Sequence, residues 1–113
     1  FDVFAGKNNL QNDRLSFKTA NKNEIWLHVK DITGSHVIVT CDGEMPPDRT
    51  IEEAAIIAAC NSKGRNSSRV DVDYTFIRNV KKPNGSKPGM VIFTNNYTIT
   101  VKPDTELEEK LRV

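Results

Sequence analysis

Residues 24–41, Glu-Ile-Trp-Leu-His-Val-Lys-Asp-Ile-Thr-Gly-Ser-His-Val-Ile-Val-Thr-Cys, read as two strands joined by a short turn. Side chains alternate between the faces of a strand, so Ile25, Leu27 and Val29 share one face while Trp26 and His28 take the other. Over residues 36–41 the same period sets Val37, Val39 and Cys41 against His36, Ile38 and Thr40. The connector Asp31-Ile32-Thr33-Gly34-Ser35 has turn chemistry: Asp can fold back on its own backbone, and Gly34 is expected to supply a positive φ. Paired in this way, the strands carry Trp26, His28 and His36 toward a common second face.

The rest of the chain supplies layers for this hairpin. Residues 2–5 read as a short opening strand, broken by Gly6-Lys7-Asn8-Asn9, in which Gly and Asn tolerate left-handed backbone. Residues 9–20 allow a short helix capped by Asn8 or Asn9. Two prolines, Pro46 and Pro47, forbid regular structure after Cys41. Thr50-Ile51-Glu52-Glu53 then has the form of a capping box and opens the Ala-rich run 54–60. The spacing predicts a helix over about 50–64, stopped by Gly64, with Lys63 and Arg65 suited to the negative end of its dipole.

Residues 70–76 alternate cleanly, with Val70, Val72, Tyr74 and Phe76 facing in and Asp71 and Asp73 facing out, as in a half-buried antiparallel strand that continues toward Val80. Residues 90–94 and 97–101 are expected to form a hairpin around Asn95-Asn96. Residues 104–112 form a final short helix or a frayed tail. The sum is α+β: a mostly antiparallel sheet of about five or six strands, with the helix at about 50–64 packed on one face. Strand order stays open.

A chain of 113 residues makes a single domain with one modest core. No apolar run approaches the roughly 18 residues that a bilayer span needs. A start at Phe1 leads us to expect a fragment of a longer protein. Cys41 and Cys60 both sit in apolar patterns, which favours buried thiols over a bridge and a reducing compartment. Net charge is +1, yet residues 61–90 hold seven Lys or Arg against two Asp. Such a basic third is either a polyanion footprint or a solvated basic loop.

Two chemistries compete for the notable side chains. Trp26, His28 and His36, with Lys30 and Asp31, are candidates for a binding face; alternatively Trp26 packs beneath the first helix and each His makes a satisfied polar contact. Two histidines without a third ligand at metal spacing do not make a zinc site. No serine or cysteine lies in a nucleophile motif, and Gly6-Lys7-Asn8-Asn9 lacks the phosphate-loop pattern. No catalytic residue, metal, cofactor or small-molecule substrate is therefore assigned. Lys81, Lys82 and Lys87 on the Pro- and Gly-stiffened loop 81–89 suit phosphates, and Arg65 and Arg69 suit bidentate phosphate contacts. Trp26 or Tyr97, if exposed, would stack on unpaired bases.

Several ordered stretches resemble one family: Gly6-Lys7-Asn8-Asn9-Leu10-Gln11-Asn12-Asp13, residues 25–37, Thr50-Ile51-Glu52-Glu53-Ala54-Ala55, Ser62-Lys63-Gly64-Arg65-Asn66-Ser67-Ser68, Val72-Asp73-Tyr74-Thr75 and residues 80–90. Together they resemble the NFACT-R domain, the C-terminal domain of the RqcH/fibronectin-binding protein A family, related to eukaryotic NEMF. Gly64 departs from the small residue such as Ala expected before Arg65, and Thr33 stands where Pro is common. The resemblance implies a cytoplasmic bacterial factor of ribosome-associated quality control, without catalysis in this domain. Its partners would be tRNA and large-subunit ribosomal RNA, and the full-length protein would support alanine tailing of stalled chains. Lys7, Arg14, Lys30, Lys63, Arg65, Lys81, Lys82 and Lys87 would meet phosphates, with His28 and His36 as polar contacts. The family's other label implies the alternative: a cell-surface module that pairs an edge strand, about residues 90–101, with fibronectin or fibrinogen.

Overall fold

Alternating apolar residues and short polar breaks produce ten elements in a computed structural model that describes residues 2–111. They run β1 (Val3–Ala5), α1 (Asn9–Arg14), β2 (Ile25–Val29), β3 (Val37–Val39), α2 (Asp48–Cys60), β4 (Val70–Phe76), β5 (Val80–Lys81), β6 (Ile92–Phe93), β7 (Tyr97–Val101) and α3 (Thr105–Leu111). A π-helical turn, Leu15–Thr19, extends α1. The main sheet is antiparallel in the order β1-β3-β2-β4-β7, and β5 and β6 form a separate two-stranded ribbon. The fold is α+β, as the alternation predicts. Arg112, the expected end of the last helix, lies outside the described residues.

Both faces of the sheet are covered. Ile25, Leu27, Val29, Val37 and Val39 meet Ile51 and the alanines of α2. Ala54, Ala55, Ala58 and Ala59 are all fully buried, because side chains that end at Cβ let the helix backbone lie close to the strands. On the opposite face Trp26 and Ile38 join Ile77 and Val80, flanked by Leu15, Ala20, Val91 and Phe93. The second layer is thus built from the α1 segment and the β5–β6 ribbon. Trp26 is 0% exposed, and removing a ring so placed costs about 3–5 kcal/mol. It is a core residue, packed beneath the first helical segment.

Several local expectations are corrected. The helix α2 begins at Asp48 after Pro47, and Thr50 lies inside its first turn, donating its N–H to the Pro47 carbonyl at 2.9 Å. No capping box forms; Glu53 instead accepts from Arg49 Nε at 3.1 Å. The helix stops at Cys60 rather than Gly64, because Asn61 Nδ2 donates to the Ile57 carbonyl (2.8 Å) and Ser62 Oγ to the Ala59 carbonyl (2.7 Å). Side-chain donors thereby help satisfy carbonyls at the end of the helix.

The expected hairpin around Asn95-Asn96 does not form. β6 pairs with β5, and β7 pairs with β4 from Val70↔Val101 to Tyr74↔Tyr97. Residues 94–96 cross between the two sheets, with Asn95 at φ 53° and Thr75 Oγ1 donating to the Thr94 and Asn95 carbonyls. A 3-10 turn, Ile77–Asn79, separates β4 from β5. Positive φ in the β2–β3 connector falls on Asp31, not Gly34, and Gly6 does not use left-handed backbone either. Asn8 does cap α1, accepting from the Gln11 N–H at 2.9 Å. Cys41 and Cys60 are free and buried, and burial raises both thiol pKa values.

Candidate nucleic-acid interface

Three chain segments meet beside the end of α2. Ser35 N–H donates to the Asn61 carbonyl at 3.1 Å, and Lys63 N–H donates to the Thr33 carbonyl at 2.9 Å. Gly34 and Ser62 form the antiparallel bridge between these bonds. Only glycine fits there, since a Cβ on residue 34 would sit 2.8 Å from Ser62 Cβ and from Val29 Cγ2. The start of α1 supplies the third wall: Gly6 N–H donates to the His36 carbonyl at 3.0 Å, and His36 N–H donates to Asn12 Oδ1 at 3.1 Å.

Between these segments lies an open cleft of about 440 Å³, with Lys7 on one wall and Lys63 and Arg65 on another, and no acidic residue in its lining. None of the three cations has an ion-pair partner among the described residues. Three positive groups around an uncompensated concavity attract a polyanion more strongly than the same charges dispersed.

The basic loop adjoins this cleft across α1. A Cβ on Gly89 would sit 2.7 Å from Asn9 Oδ1, and Asn9 also lines the cleft. Asp13 fixes the loop with both oxygens: Oδ1 accepts from the Gly89 N–H at 2.9 Å, and Oδ2 lies 3.0 Å from Lys82 Nζ. Lys82 Nζ also donates to the Lys87 carbonyl at 2.8 Å. Lys82 therefore staples the loop, and part of the charge expected to meet phosphate is already answered by Asp13. Lys81, Lys87 and Arg14 are exposed and carry no ion pair among the described residues. Lys30 sits 3.7 Å from Asp73 Oδ1, so part of its charge is already answered.

Trp26, His28 and His36 do converge, with ring centroids 5.4–5.8 Å apart, but they form an interior cluster rather than an open binding face. His36 is buried and pairs with Ser16 Oγ through Nδ1 at 2.8 Å. Burial, reinforced by the neighbouring His28, lowers its pKa to about 4. His28 is half-buried, and burial lowers its pKa too. Asp31 is exposed on the turn; the carboxylate opposite His28 in the sheet is Asp73. The alternation predicts that Asp73 faces solvent, yet it is buried and accepts from Thr98 Oγ1 at 2.6 Å and Asn96 Nδ2 at 3.1 Å. Tyr97 is 59% exposed, and its ring already stacks on Tyr74 at 5.5 Å. No group of three His, Cys, Asp or Glu able to hold a metal occurs among the described residues.

A family model described as the NFACT protein RNA binding domain matches residues 1–95. The chain belongs to the NFACT RNA-binding domain family. It is 50% identical over 110 residues to the Rqc2 homolog RqcH of Bacillus subtilis (strain 168), a match spanning 97% of this chain and 19% of that protein. Against the Rqc2 homolog RqcH of Streptococcus pneumoniae serotype 2 (strain D39) the identity is 44% over 105 residues, 92% of this chain and 19% of that one. This NFACT domain thus spans about a fifth of the length of these relatives. Its fold also matches the solved C-terminal part of the fibronectin/fibrinogen-binding protein from Streptococcus suis, with a TM-score of 0.94 and 42% identity over 98% of this chain and 44% of that one.

Proposed function

We propose that this NFACT domain is the RNA-contacting C-terminal module of a longer ribosome-associated quality-control factor. In that setting it works in the cytoplasm on obstructed large ribosomal subunits, meets tRNA or ribosomal RNA through phosphates, and supports alanine tailing of stalled nascent chains. The observation that carries the reading is the gathering of Lys7, Lys63 and Arg65, distant in sequence, around one acid-free cleft, with Lys81, Lys87 and Arg14 exposed on the adjoining α1 and loop. The family's RNA-binding description and the RqcH relatives support it.

The test is binding of tRNA to the chain across a salt series, beside Lys7/Lys63/Arg65→Ala and Lys81/Lys87→Ala variants. Affinity should fall steeply with salt, and each phosphate contact removed should flatten the log–log slope by roughly 0.7–0.9. A slope near zero, or variants that bind as the parent does, would defeat this reading. The same series separates it from strand addition along the open edge of β7, which carries no such salt dependence.

A further inference from the structure

The cleft lining is not only cationic. Lys7, Lys63 and Arg65 give the lining its charge, and several backbone N–H groups around it are already engaged. Gly6, Ser35, Lys63 and Arg65 donate to carbonyls, Lys7 donates to Gln11 Oε1 at 2.9 Å, and Gly64 donates to Ser62 Oγ at 3.0 Å. Between the cations the lining also offers neutral amide groups. Asn61 Nδ2 is held by the Ile57 carbonyl, so its Oδ1 is left as an acceptor. Asn8 Oδ1 is held by the Gln11 N–H, so its Nδ2 is left as a donor. Both orientations follow from the chemistry of the partners, since a carbonyl accepts only from the NH₂ end and an N–H donates only to the oxygen end.

A fixed donor and a fixed acceptor in a concave space, ringed by cations, match the edge of an unpaired base whose flanking phosphates lie outside. We propose that the cleft receives an unpaired ribonucleotide: Asn8 and Asn61 hydrogen-bond its base edge, and Lys7, Lys63 and Arg65 hold the adjoining phosphates. The proposal rests on the RNA-binding reading and adds a preference for single-stranded over duplex RNA. Bases in an A-form duplex are stacked and paired, and they cannot turn such an edge into a recess. A cleft of about 440 Å³ also lies in the usual range for small-ligand sites, about 300–1,000 Å³. Its walls are pinned by the backbone bonds around Gly34, so little ordering is needed when the ligand enters.

The experiment is fluorescence anisotropy of the chain with a labelled single-stranded oligoribonucleotide of mixed sequence, and with the same strand annealed to its complement. Single-stranded RNA should bind roughly tenfold more tightly. Asn8→Ser and Asn8→Asp both keep an oxygen for capping α1 while deleting the Nδ2 donor. Each should weaken single-strand binding by roughly three- to tenfold, the Asp variant more, and Asn8→Ser should leave the salt slope unchanged. Arg65→Ala should flatten that slope. Equal affinity for single strand and duplex, or parental single-strand affinity in both Asn8 variants, would overturn the proposal while leaving RNA binding by the domain intact. If neither RNA binds at low salt, the RNA-binding reading fails and this proposal fails with it.

Discussion

Acid should destabilise the domain through one buried ring. His36 is 1% exposed; it faces Ser16, His28, Asp13, Lys82 and the Gly89 backbone, and burial followed by His28 lowers its pKa to about 4. In the unfolded chain the same imidazole titrates near 6.5. Between these values the unfolded state holds a proton that the folded state rejects, so stability falls as pH drops through that window. Above the unfolded value both states are neutral, and His36 contributes no pH dependence. At about 1.4 kcal/mol per pKa unit, the loss attributable to this ring reaches about 3 kcal/mol by pH 4.

The assay is urea unfolding of the parent and a His36→Gln variant at several values between pH 7 and pH 4.5. His36→Gln starts less stable at pH 7 because it repacks a full core. The gap should then narrow by about 2–3 kcal/mol on acidification, since only the parent pays the proton penalty. Groups common to both proteins cancel in the difference. Parallel stability curves for the two proteins would refute the reasoning.

Asp13→Ala should cost about 1–3 kcal/mol, because it removes a charged acceptor from the Gly89 N–H and leaves Lys82 only its carbonyl partners. Amide exchange at Gly89 should accelerate, and unchanged protection there would show that Asp13 does not hold the loop. Gly34→Ala and Gly85→Ala make a matched pair. A methyl group at residue 34 meets Ser62 and Val29, whereas residue 85 has nothing within 4 Å and only the strain of φ +74°. Gly34→Ala should lower the melting temperature and weaken RNA binding by spreading the cleft. Gly85→Ala should cost about 1–2 kcal/mol with RNA affinity unchanged, and equal RNA binding by the two variants would refute the assignment of Gly34 to the cleft floor.

The strands were legible where period-two alternation set apolar side chains on the face that meets α2, as in β2, β3 and β4. The pattern misled at Asp73, because a residue that alternates outward from one core can point into a second layer, and the layer over that face comes from segments remote in sequence. It misled again at residues 90–101, where Asn95-Asn96 has hairpin chemistry and nothing local says that the two flanking strands belong to different sheets. Among the basic residues, Lys81, Lys82 and Lys87 look equivalent in sequence. What sets Lys82 apart is Asp13, far upstream, a neighbour that composition and spacing do not reveal. The resemblance offers Lys7 as a phosphate contact, but its meeting with Lys63 and Arg65 depends on the bridge through Gly34. The amide of Asn8 carried no signal beyond capping, and that of Asn61 carried none.

The central place of β2 also governs how the sheet is assembled. In the main sheet, only the β2–β3 pair joins strands that are close in sequence; Ile25 must find Phe76, Val3 must find Val39, and Val70 must find Val101. Loop-closure entropy is lost before such distant pairings return any energy. The β2–β3 hairpin should therefore form first and wait for β4 until the segment containing α2 has collapsed onto it. During that interval the outer edge of β2 is an unpaired apolar strand, open to mispairing with other chains. The strand best shielded in the finished fold is thus the one most vulnerable during synthesis.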